Sequence, residues 1–477
     1  MSKEYGYLIN GEWVFSDNKS EIKNPYNNDV VGIINIPDLD TAKGSVDHAE
    51  SAARSFRDIP SYERSSILKK IVEGIDKRKD EFAQTLVKEG GKPLKTARLE
   101  VERAKTSFSV AAEEANRFSG GEVLALDIIA GSEKRFGISR RFPLGVVMGI
   151  SPFNFPLNLV AHKVAPAIAS ANALILKPAS QTPISALMLG EIAIEAGLPE
   201  GMLNIVPLPG SQIEPVIEDQ RIKKISFTGS DEVGWDLMKK YPKKKVTLEL
   251  GGNAAVIIDE DPPDFNFAAS RNAWGAFYQA GQSCISVQRM YVHEKIFDKF
   301  LDQFVNETKK LKLGDPMLED TDLGPVIDDH SADRIMKWID EALENGAQML
   351  CGGSRDGKLI EPTVLTNVTP DSNVSCSEVF GPVVQIERYQ DFDKALELVN
   401  NTRYGLQAGV FTKDMKKAFK AYDIIETGGV VINDCPSFRV ENMPYGGIKD
   451  SGVGREGIRY AIEDMTELKL LAVNLDY

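Results

Sequence analysis

The sequence is poor in cysteine and histidine, the residue types that most often build disulfide frameworks and metal sites. Each occurs only four times in 477 residues. No two cysteines are spaced as Cys-x-x-Cys, and so few in so long a chain make no disulfide framework, so we expect a reducing compartment. The histidines form no His-Glu-x-x-His motif and have no clustered carboxylates at metal-ligand spacing. The sequence therefore predicts no catalytic metal.

Long apolar runs and an excess of positive charge are also missing. No stretch approaches the roughly 18 apolar residues that a membrane span needs, and the amino terminus leads into no apolar secretory segment. Lysine and arginine number 56 against 70 aspartates and glutamates, a net charge of -14. This charge repels nucleic acids and anionic lipids, and the one basic run, Lys243 to Lys245, is typical of a solvated turn. We expect a cytoplasmic protein without nucleic-acid or membrane partners.

The pattern that is present is that of an α/β protein. From 39 to 119 apolar residues recur at helical spacing, ending at Gly120 and Gly121. From 145 to 250, and again from 254 to 433, short β-rich runs alternate with helical segments. Such alternation predicts parallel βαβ units, here two doubly wound α/β units with a boundary near Gly251 and Gly252. Residues 121–142 and 467–474 fit neither unit, and the second segment predicts an exposed strand that pairs between subunits.

The most informative pair of residues is Cys284 and Glu249, which lie beside glycine-containing turns. Glycine leaves room for a ligand to approach the backbone, which is unusual around a plain core cysteine. A thiol nucleophile and a carboxylate base are the minimum for forming a thioester and then hydrolysing it.

Four other segments carry side chains suited to chemistry. Asn154 follows a predicted strand between two prolines, where its amide can donate to a developing oxyanion, although a turn asparagine is the simpler interpretation. Lys177 follows the next strand, at the sheet edge where doubly wound folds bind nucleotides. Residues 229–234 enter a helix without the usual glycine spacing of a dinucleotide motif. Glu378 and Phe380 precede a Gly-Pro turn that can be structural alone.

Taken in order, these segments closely resemble the aldehyde dehydrogenase superfamily. The resemblance extends from residues 8–13 to the Pro-Tyr-Gly-Gly segment at 444–452 and covers nearly the whole chain. It implies a cofactor-binding domain at 1–119 and 144–249 and a catalytic domain at 250–450. It also implies an oligomerisation element at 120–143, joined by the C-terminal segment 451–477, and hence a homodimer or homotetramer.

The resemblance also implies an activity and a set of roles. The activity is NAD(P)-dependent oxidation of a small aldehyde to the carboxylic acid through a cysteine thiohemiacetal and thioester. Cys284 is the implied nucleophile, Asn154 and the Cys284 backbone N–H the oxyanion hole, and Glu249 the general base. The family pattern places NADP or NAD against the following residues: Ile150, Ser151, Pro152, Phe153, Lys177, Ser180, Gly210, Phe227, Gly229, Ser230, Val233, Leu250, Gly251, Arg334, Glu378 and Phe380. Among these, Lys177 and Glu378 are expected at the riboses.

Departures from the family pattern bear on cofactor and substrate. Ser180 stands where many NAD-specific members carry a glutamate, and serine does not repel a 2'-phosphate. His162 replaces an arginine of the succinate semialdehyde branch, and Arg439 lies in the tunnel-lining segment. With Phe155 these residues form the expected substrate site, which looks most like that of lactaldehyde and glyceraldehyde dehydrogenases. His162 as a core residue, Arg439 as the ion-pair partner of Glu441 or another acid, and succinate semialdehyde as the substrate are the alternatives.

Two rival interpretations come from other classes. A non-redox cysteine hydrolase would need a histidine beside Cys284, and His293 is the nearest in sequence, at no telling spacing. A non-catalytic relative would have no need of the nucleophile, so the joint presence of Cys284, Glu249, Asn154 and Lys177 argues against it.

Overall fold

The structure, a computed structural model, describes residues 3–118 and 121–475. Residues 119 and 120, where the sequence predicts a helix end and a domain boundary, lie outside the described residues. The predicted helical region is confirmed, and its first helix is capped by Asp38, whose carboxylate accepts a hydrogen bond from the Thr41 N–H at 2.7 Å. The elements before the first parallel unit are β1 Lys3–Tyr5, β2 Tyr7–Ile9, β3 Glu12–Val14, β4 Lys19–Lys23, β5 Val30–Asn35, α1 Leu39–Phe56, α2 Ser61–Lys77, α3 Lys79–Gly90, α4 Leu94–Arg117, β6 Glu122–Ala125 and β7 Arg135–Pro143.

The first predicted α/β unit forms a parallel sheet whose central strands are wholly buried. Both β8 and β9 have buried side chains at every position, as expected for strands covered by helices on both faces. The elements are β8 Val146–Ile150, α5 Asn158–Ala169, β9 Ala173–Lys177, α6 Ile184–Glu195, β10 Leu203–Ile205, α7 Glu214–Ile217, β11 Ile222–Thr228, α8 Asp231–Lys240 and β12 Lys245–Glu249. In register, Ile150 lies opposite both Lys177 and Phe227, so these strands end at one edge.

The second α/β unit follows directly. Aspartates cap four of its helices, at Asp264, Asp328, Asp391 and Asp414. Its elements are β13 Ala255–Ile258, α9 Phe265–Phe277, β14 Arg289–His293, α10 Phe297–Lys309, α11 Asp329–Glu344, β15 Gln348–Cys351, β16 Arg355–Asp356, β17 Leu359–Ile360, β18 Thr363–Thr366, α12 Asn373–Cys376, β19 Val383–Tyr389, α13 Phe392–Asn400, β20 Gln407–Phe411, α14 Met415–Ile424 and β21 Gly429–Ile432. The last elements of the chain are β22 Gly452–Val453, α15 Ile458–Asp464 and β23 Thr466–Asn474.

The sheets confirm the α/β class. Among the described residues the first sheet has the order β22-β12-β11-β8-β9-β10-β2-β3, and the strands from β12 to β10 are parallel. The second sheet has the order β15-β18-β19-β14-β13-β20-β21 and is parallel except for β15. Each sheet is covered by helices that bury its apolar side chains.

The two segments that fit neither unit pair with each other. Strand β23 runs antiparallel to β7 over its whole length, and β6 covers the other edge of β7. Residues before β23 pack on the first unit instead, because β22 adds antiparallel to β12 and α15 contacts α5. The division into three domains stays a prediction. No helix in the described parts of the chain is long and apolar enough to cross a membrane.

Candidate active site

A cavity of about 620 Å³ opens at the carboxyl edge of the first sheet and is closed on its other side by loops of the second unit. This is where doubly wound sheets place their ligands, because strand ends and helix N-termini converge there. Predicted site residues that line it are Ile150, Ser151, Pro152, Phe153, Asn154, Phe155, Lys177, Ser180, Gly210, Phe227, Gly229, Ser230, Val233, Glu249, Leu250, Gly251, Cys284, Glu378, Phe380 and Arg439.

Cys284 reaches this cavity on a tightly constrained turn. Helix α9 ends at Phe277, and three successive residues, Gln279, Ala280 and Gly281, have φ values of 56°, 53° and 70°. Left-handed backbone is costly for residues with a side chain and persists only where the surroundings enforce it. At Gly281 an added Cβ would stand 2.0 Å from the Gly381 carbonyl oxygen, so glycine is required there. The turn therefore holds Cys284 against the loop that carries Phe380.

The Cys284 thiol is partly buried and has one polar neighbour. Its sulfur lies 3.1 Å from the hydroxyl of Tyr445, within a small apolar cluster that includes Ile285 and Leu406. Burial raises the pKa of the Cys284 thiol to about 12, and the contact with Tyr445 opposes that shift. Burial also raises the pKa of Tyr445. The resting thiol is thus protonated at neutral pH, and its reaction as a nucleophile needs a base.

Glu249 is the residue that the resemblance names as the general base. It ends strand β12, is 4% exposed, and lines the same cavity as Cys284. Neither carboxylate oxygen has a hydrogen-bond partner among the described residues. Burial first, and then repulsion from the charge of Glu456, raise the pKa of Glu249 well above its usual value. A buried, unpaired carboxyl group of raised pKa suits proton transfer near neutral pH.

Asn154 lines the same cavity as Cys284. Its Nδ2 donates one hydrogen bond, of 3.0 Å, to the backbone oxygen of Gln282, and the second Nδ2 proton is left for another acceptor. The backbone N–H of Cys284 has no acceptor within the described ranges. Two donors are thus free on the wall of the cavity next to the thiol.

The far end of the cavity has a backbone that is suited to a dinucleotide. Gly229 and Ser230 precede α8, whose first-turn N–H groups favour anions. A Cβ added at Gly229 would stand 2.6 Å from the ring of Phe227, so only glycine leaves this approach open. Lys177, at the end of β9, donates a hydrogen bond of 2.9 Å to the backbone oxygen of Pro178, and burial lowers the pKa of its amine to about 8.

Glu378 and Phe380 reach the same space from the second unit. The Gly252 N–H donates a hydrogen bond of 3.0 Å to the Glu378 carboxylate, and burial raises the pKa of this carboxyl group to about 7. A Cβ at Gly251 would stand 2.5 Å from the carboxylate of Glu378. The Phe380 ring meets that of Phe153 edge to face, with centroids 5.8 Å apart.

A network of buried charges lies behind the catalytic end. Glu456 accepts from Arg439 at 3.1 Å and from Lys163 at 3.4 Å, and these charges lower its pKa. The Arg439 guanidinium stacks 3.6 Å over the Tyr445 ring and donates 2.7 Å to Nδ1 of His162. His162 contacts Glu441 through Nε2 and Glu456 through Nδ1, the latter at 3.0 Å. Arg439 is therefore held by an acid other than Glu441.

Two predicted residues lie away from the cavity wall. His162 is 3% exposed and does not line the cavity, which it reaches through its contacts with Arg439 and Glu456. Arg334 stacks 4.7 Å over the Trp338 ring, and burial lowers its pKa while the charge of Glu378 opposes the shift. His293, which the hydrolase alternative requires, ends β14 against Tyr389 and does not line the cavity.

Several cavity-lining residues were missed by sequence reasoning. Tyr445 lies in the segment at 444–452 that supports the resemblance, yet nothing in that motif indicates its contact with the thiol. Arg103 lines the cavity from helix α4 and donates 2.8 Å to Glu441. Tyr278 stacks on Trp274 with centroids 4.5 Å apart and is bonded to Ser283 at 2.6 Å. The contacts of Tyr445 and Arg103 join residues more than 160 positions apart, so they leave no local signal in the sequence.

The chain is similar along nearly its whole length to known aldehyde dehydrogenases. The model of the aldehyde dehydrogenase family matches residues 13–471. The chain is 44% identical to 3-sulfolactaldehyde dehydrogenase of Priestia aryabhattai over 99% of this chain and 98% of that protein. It superimposes with a TM-score of 0.98 and 46% identity on aldehyde dehydrogenase 21 from Physcomitrella patens, solved with the reaction product succinate, covering 100% and 99% of the two chains. For glyceraldehyde-3-phosphate dehydrogenase GapN of Methanocaldococcus jannaschii, complexed with NADP, the TM-score is 0.92 at 38% identity, covering 96% and 100%.

Proposed function

The chain belongs to the aldehyde dehydrogenase family, and from that premise we propose that it oxidises a small hydroxylated aldehyde of the lactaldehyde or glyceraldehyde type to the acid. The enzyme class is NAD(P)-dependent aldehyde dehydrogenase, and the cofactor is NADP or NAD. The observation that carries the proposal is a buried thiol, a buried unpaired carboxyl group and two free donors on one cavity wall.

The residues at the far end of the cavity fit a dinucleotide. A dinucleotide has a binding surface here that consists of the Gly229 backbone, the N-terminal end of α8 and the Lys177 amine. Gly229 has no side chain to obstruct this surface, and an added Cβ would collide with the ring of Phe227. Lys177 and Glu378 would hold ribose hydroxyl groups, and Phe380 would pack against the nicotinamide. When bound there, the cofactor accepts a hydride. Ser180 is exposed on this wall, so no carboxylate repels a 2'-phosphate at that position.

Cys284 begins the reaction. A base removes the thiol proton, the thiolate adds to the aldehyde carbon, and the carbonyl electron pair moves onto oxygen. The second Nδ2 proton of Asn154 and the Cys284 backbone N–H donate to that oxyanion, and oxidation at the same carbon leaves a thioester on Cys284. These donors are fixed before reaction, so they require no reorganisation as charge develops.

Glu249 then serves hydrolysis. Its carboxylate takes a proton from water, the resulting hydroxide adds to the thioester carbon, and the sulfur leaves as thiolate with release of the acid. The absence of hydrogen-bond partners among the described residues keeps this carboxylate available for the proton. The raised pKa makes Glu249 a stronger base than an ordinary carboxylate when it is ionised.

Polar groups at the catalytic end support a hydroxylated substrate. Arg103 and Arg439 both line the cavity, and each uses only one guanidinium nitrogen in the hydrogen bonds seen within the described residues. Unused donors favour a substrate with oxygen atoms beyond the aldehyde, because an alkyl chain would leave them unpaired. The name of the Priestia relative, a 3-sulfolactaldehyde dehydrogenase, agrees with such a substrate.

A second candidate is succinate semialdehyde. The Physcomitrella structure was solved with succinate as its reaction product, at 46% identity to this chain. The same two guanidinium groups would suit a distal carboxylate. His162 argues against it, because a histidine bound to Glu441 presents no cation to the cavity.

Steady-state kinetics on lactaldehyde, glyceraldehyde, succinate semialdehyde and hexanal distinguish the candidates. We expect kcat/KM for the two hydroxylated aldehydes to exceed that for hexanal by about tenfold or more, since an unpaired buried donor costs about 1–3 kcal/mol. Arg439→Gln should reduce that ratio while the KM for NADP, the control for an intact fold, stays unchanged. A clear preference for succinate semialdehyde would overturn the proposal in favour of the second candidate.

The assembly we propose is a homo-oligomer, a dimer or a tetramer. Strand β23 is the edge of its sheet, and its Leu468, Leu470 and Leu471 are 61%, 52% and 60% exposed. An apolar edge strand of this kind is a surface for pairing with another chain. Sedimentation equilibrium measures the mass, and a stable monomer at micromolar concentration would contradict the assignment.

A further inference from the structure

A second cavity, of about 760 Å³, lies at the opposite edge of the first sheet. It is enclosed by the end of α1, the start of α2, the end of β7 and the first residues of β8. Its charged side chains are mostly basic, in a chain whose net charge is -14. The cations are Arg54, Arg57, Arg64, Arg140, Arg141, Arg221 and Lys223, and the acids are Glu50 and Asp58. The cavity is thus a concentrated positive region on an acidic protein.

Most of these cations have no counter-ion. Arg54 pairs with Glu50 at 2.8 Å, and Arg221 pairs with Asp219 at 2.7 Å. No carboxylate within the described ranges pairs with the others, which are Arg57, Arg64, Arg140, Arg141 and Lys223. Arg141 donates a hydrogen bond of 3.0 Å to the backbone oxygen of Glu463, and Lys223 donates one of 2.7 Å to that of Gln220, but neither acceptor is charged. The positive charges that line this cavity are therefore largely uncompensated.

Arg64 is the residue that most clearly indicates an anion site. Its side chain is buried, with the residue 7% exposed, and Nη1 donates 2.9 Å to the backbone oxygen of Ile59. The Nε atom is buried and has no hydrogen-bond partner in the part of the chain that is described. Burial lowers the pKa of Arg64, because no neighbouring acid compensates for desolvation of its charge. A buried guanidinium with an unused donor is costly unless an anion completes it.

Cation–π contacts position two of the uncompensated arginines. The Phe142 ring carries the guanidinium of Arg57 at 5.3 Å and that of Arg140 at 5.8 Å, which holds both cations at the mouth of the cavity. Guanidinium groups bind phosphate oxygens through paired donors more strongly than a single ammonium does. Several such groups around 760 Å³ provide for more than one negative charge.

We propose that this cavity binds a small multivalent anion of the phosphate-ester class, at a site separate from the active-site cavity. The two cavities lie at opposite ends of β8, which begins at Val146 here and ends at Ile150 in the active site. Helix α5 runs between them as well, since Ser170 and Ala171 line the basic cavity and Asn158 lines the other. The ligand therefore does not compete with aldehyde or cofactor.

Calorimetric titration of the full-length protein with inorganic pyrophosphate tests the site. NADP is left out, because it is itself an anion of the proposed class and would occupy the basic cavity. Any pyrophosphate bound at the dinucleotide-binding surface is recognised as the binding that the variants of the basic cavity retain. We expect one saturable site per chain at the basic cavity, with about a tenfold or greater loss of affinity in Arg64→Gln and in the double variant Arg57→Gln with Arg140→Gln. The double variant changes two exposed residues, so it reports on the site even if Arg64→Gln fails to fold. Arg98→Gln, an exposed arginine paired with Glu319 outside the cavity, is the matched control and should bind normally.

Three results would overturn the proposal. The first is no pyrophosphate binding to the wild-type protein, or equal binding by the double variant. The second is tighter binding of citrate than of pyrophosphate, which would make the ligand a polycarboxylate. The third is a change of sedimentation mass in the double variant without probe binding in the wild type, which would show that a second copy of the chain fills the cavity.

Discussion

Replacement of Gly281 by alanine tests whether the turn before Cys284 positions the nucleophile. Gly281 has a φ of 70°, and an added Cβ would stand 2.0 Å from the backbone oxygen of Gly381. Carbon and carbonyl oxygen pack no closer than about 3.3 Å. The two backbone segments must therefore separate by about 1.3 Å, since neither contact atom belongs to a flexible side chain.

This displacement would be transmitted to both partners in catalysis. Cys284 follows Gly281 by three residues, and Gly381 follows Phe380, which packs against Phe153. A misplacement of about 1 Å at reacting groups costs on the order of 100-fold in rate. We therefore expect Gly281→Ala to lose about 100-fold in kcat/KM, in addition to the roughly 1–2 kcal/mol cost of left-handed backbone for alanine.

The matched control is Gly357→Ala. Gly357, between β16 and β17, has a φ of 58° and nothing within 4 Å of an added Cβ. It carries the same conformational cost without the collision. We expect its kcat/KM to equal that of the wild type, with a smaller fall in the midpoint of thermal unfolding than in Gly281→Ala. Full activity of folded Gly281→Ala, or equal effects of the two substitutions, would refute the argument that this contact positions Cys284.

The remaining predictions concern individual side chains. Cys284→Ala should abolish oxidation with NADP affinity retained, measured by absorbance and by titration, and an equal loss in Cys351→Ala would mean that the nucleophile is misassigned. Glu249→Gln should release up to one reduced cofactor per site in a rapid-mixing trace and then stall as a trapped acyl-enzyme; absence of a burst would place Glu249 before hydride transfer. Ser180→Glu should shift the NADP to NAD ratio of kcat/KM toward NAD by about tenfold or more, and an unchanged ratio would assign that choice to other residues. The KM for NADP should rise as the pH increases through about 8, because Lys177 then loses its positive charge; a KM independent of pH, or equally dependent in Lys177→Met, would exclude that cause.

The sequence by itself determined the fold class and most of the cavity wall. Local periodicity separates buried strands from amphipathic helices, and parallel strands bring their carboxyl ends to one edge. Lys177, Gly229 and Glu249 could therefore be placed together from the strands that precede them. Cys284 and Asn154 were predicted at the site from the resemblance to one family. The periodicity of the sequence gives no indication that these two residues lie together.

Only the tertiary structure determined which side chains line the cavity and how far burial shifts their pKa values. His162 and Arg439 were predicted together, yet packing of Glu441 and Glu456 around them leaves only Arg439 at the wall. The raised pKa values of Cys284 and Glu249 arise from burial, which depends on both units closing over the site. The basic cavity has the same origin, because its cations lie in or directly beside α1, α2, β7 and β11. The cations cluster only because distant segments of the chain meet in the folded protein, so no single stretch of the sequence predicts the cluster.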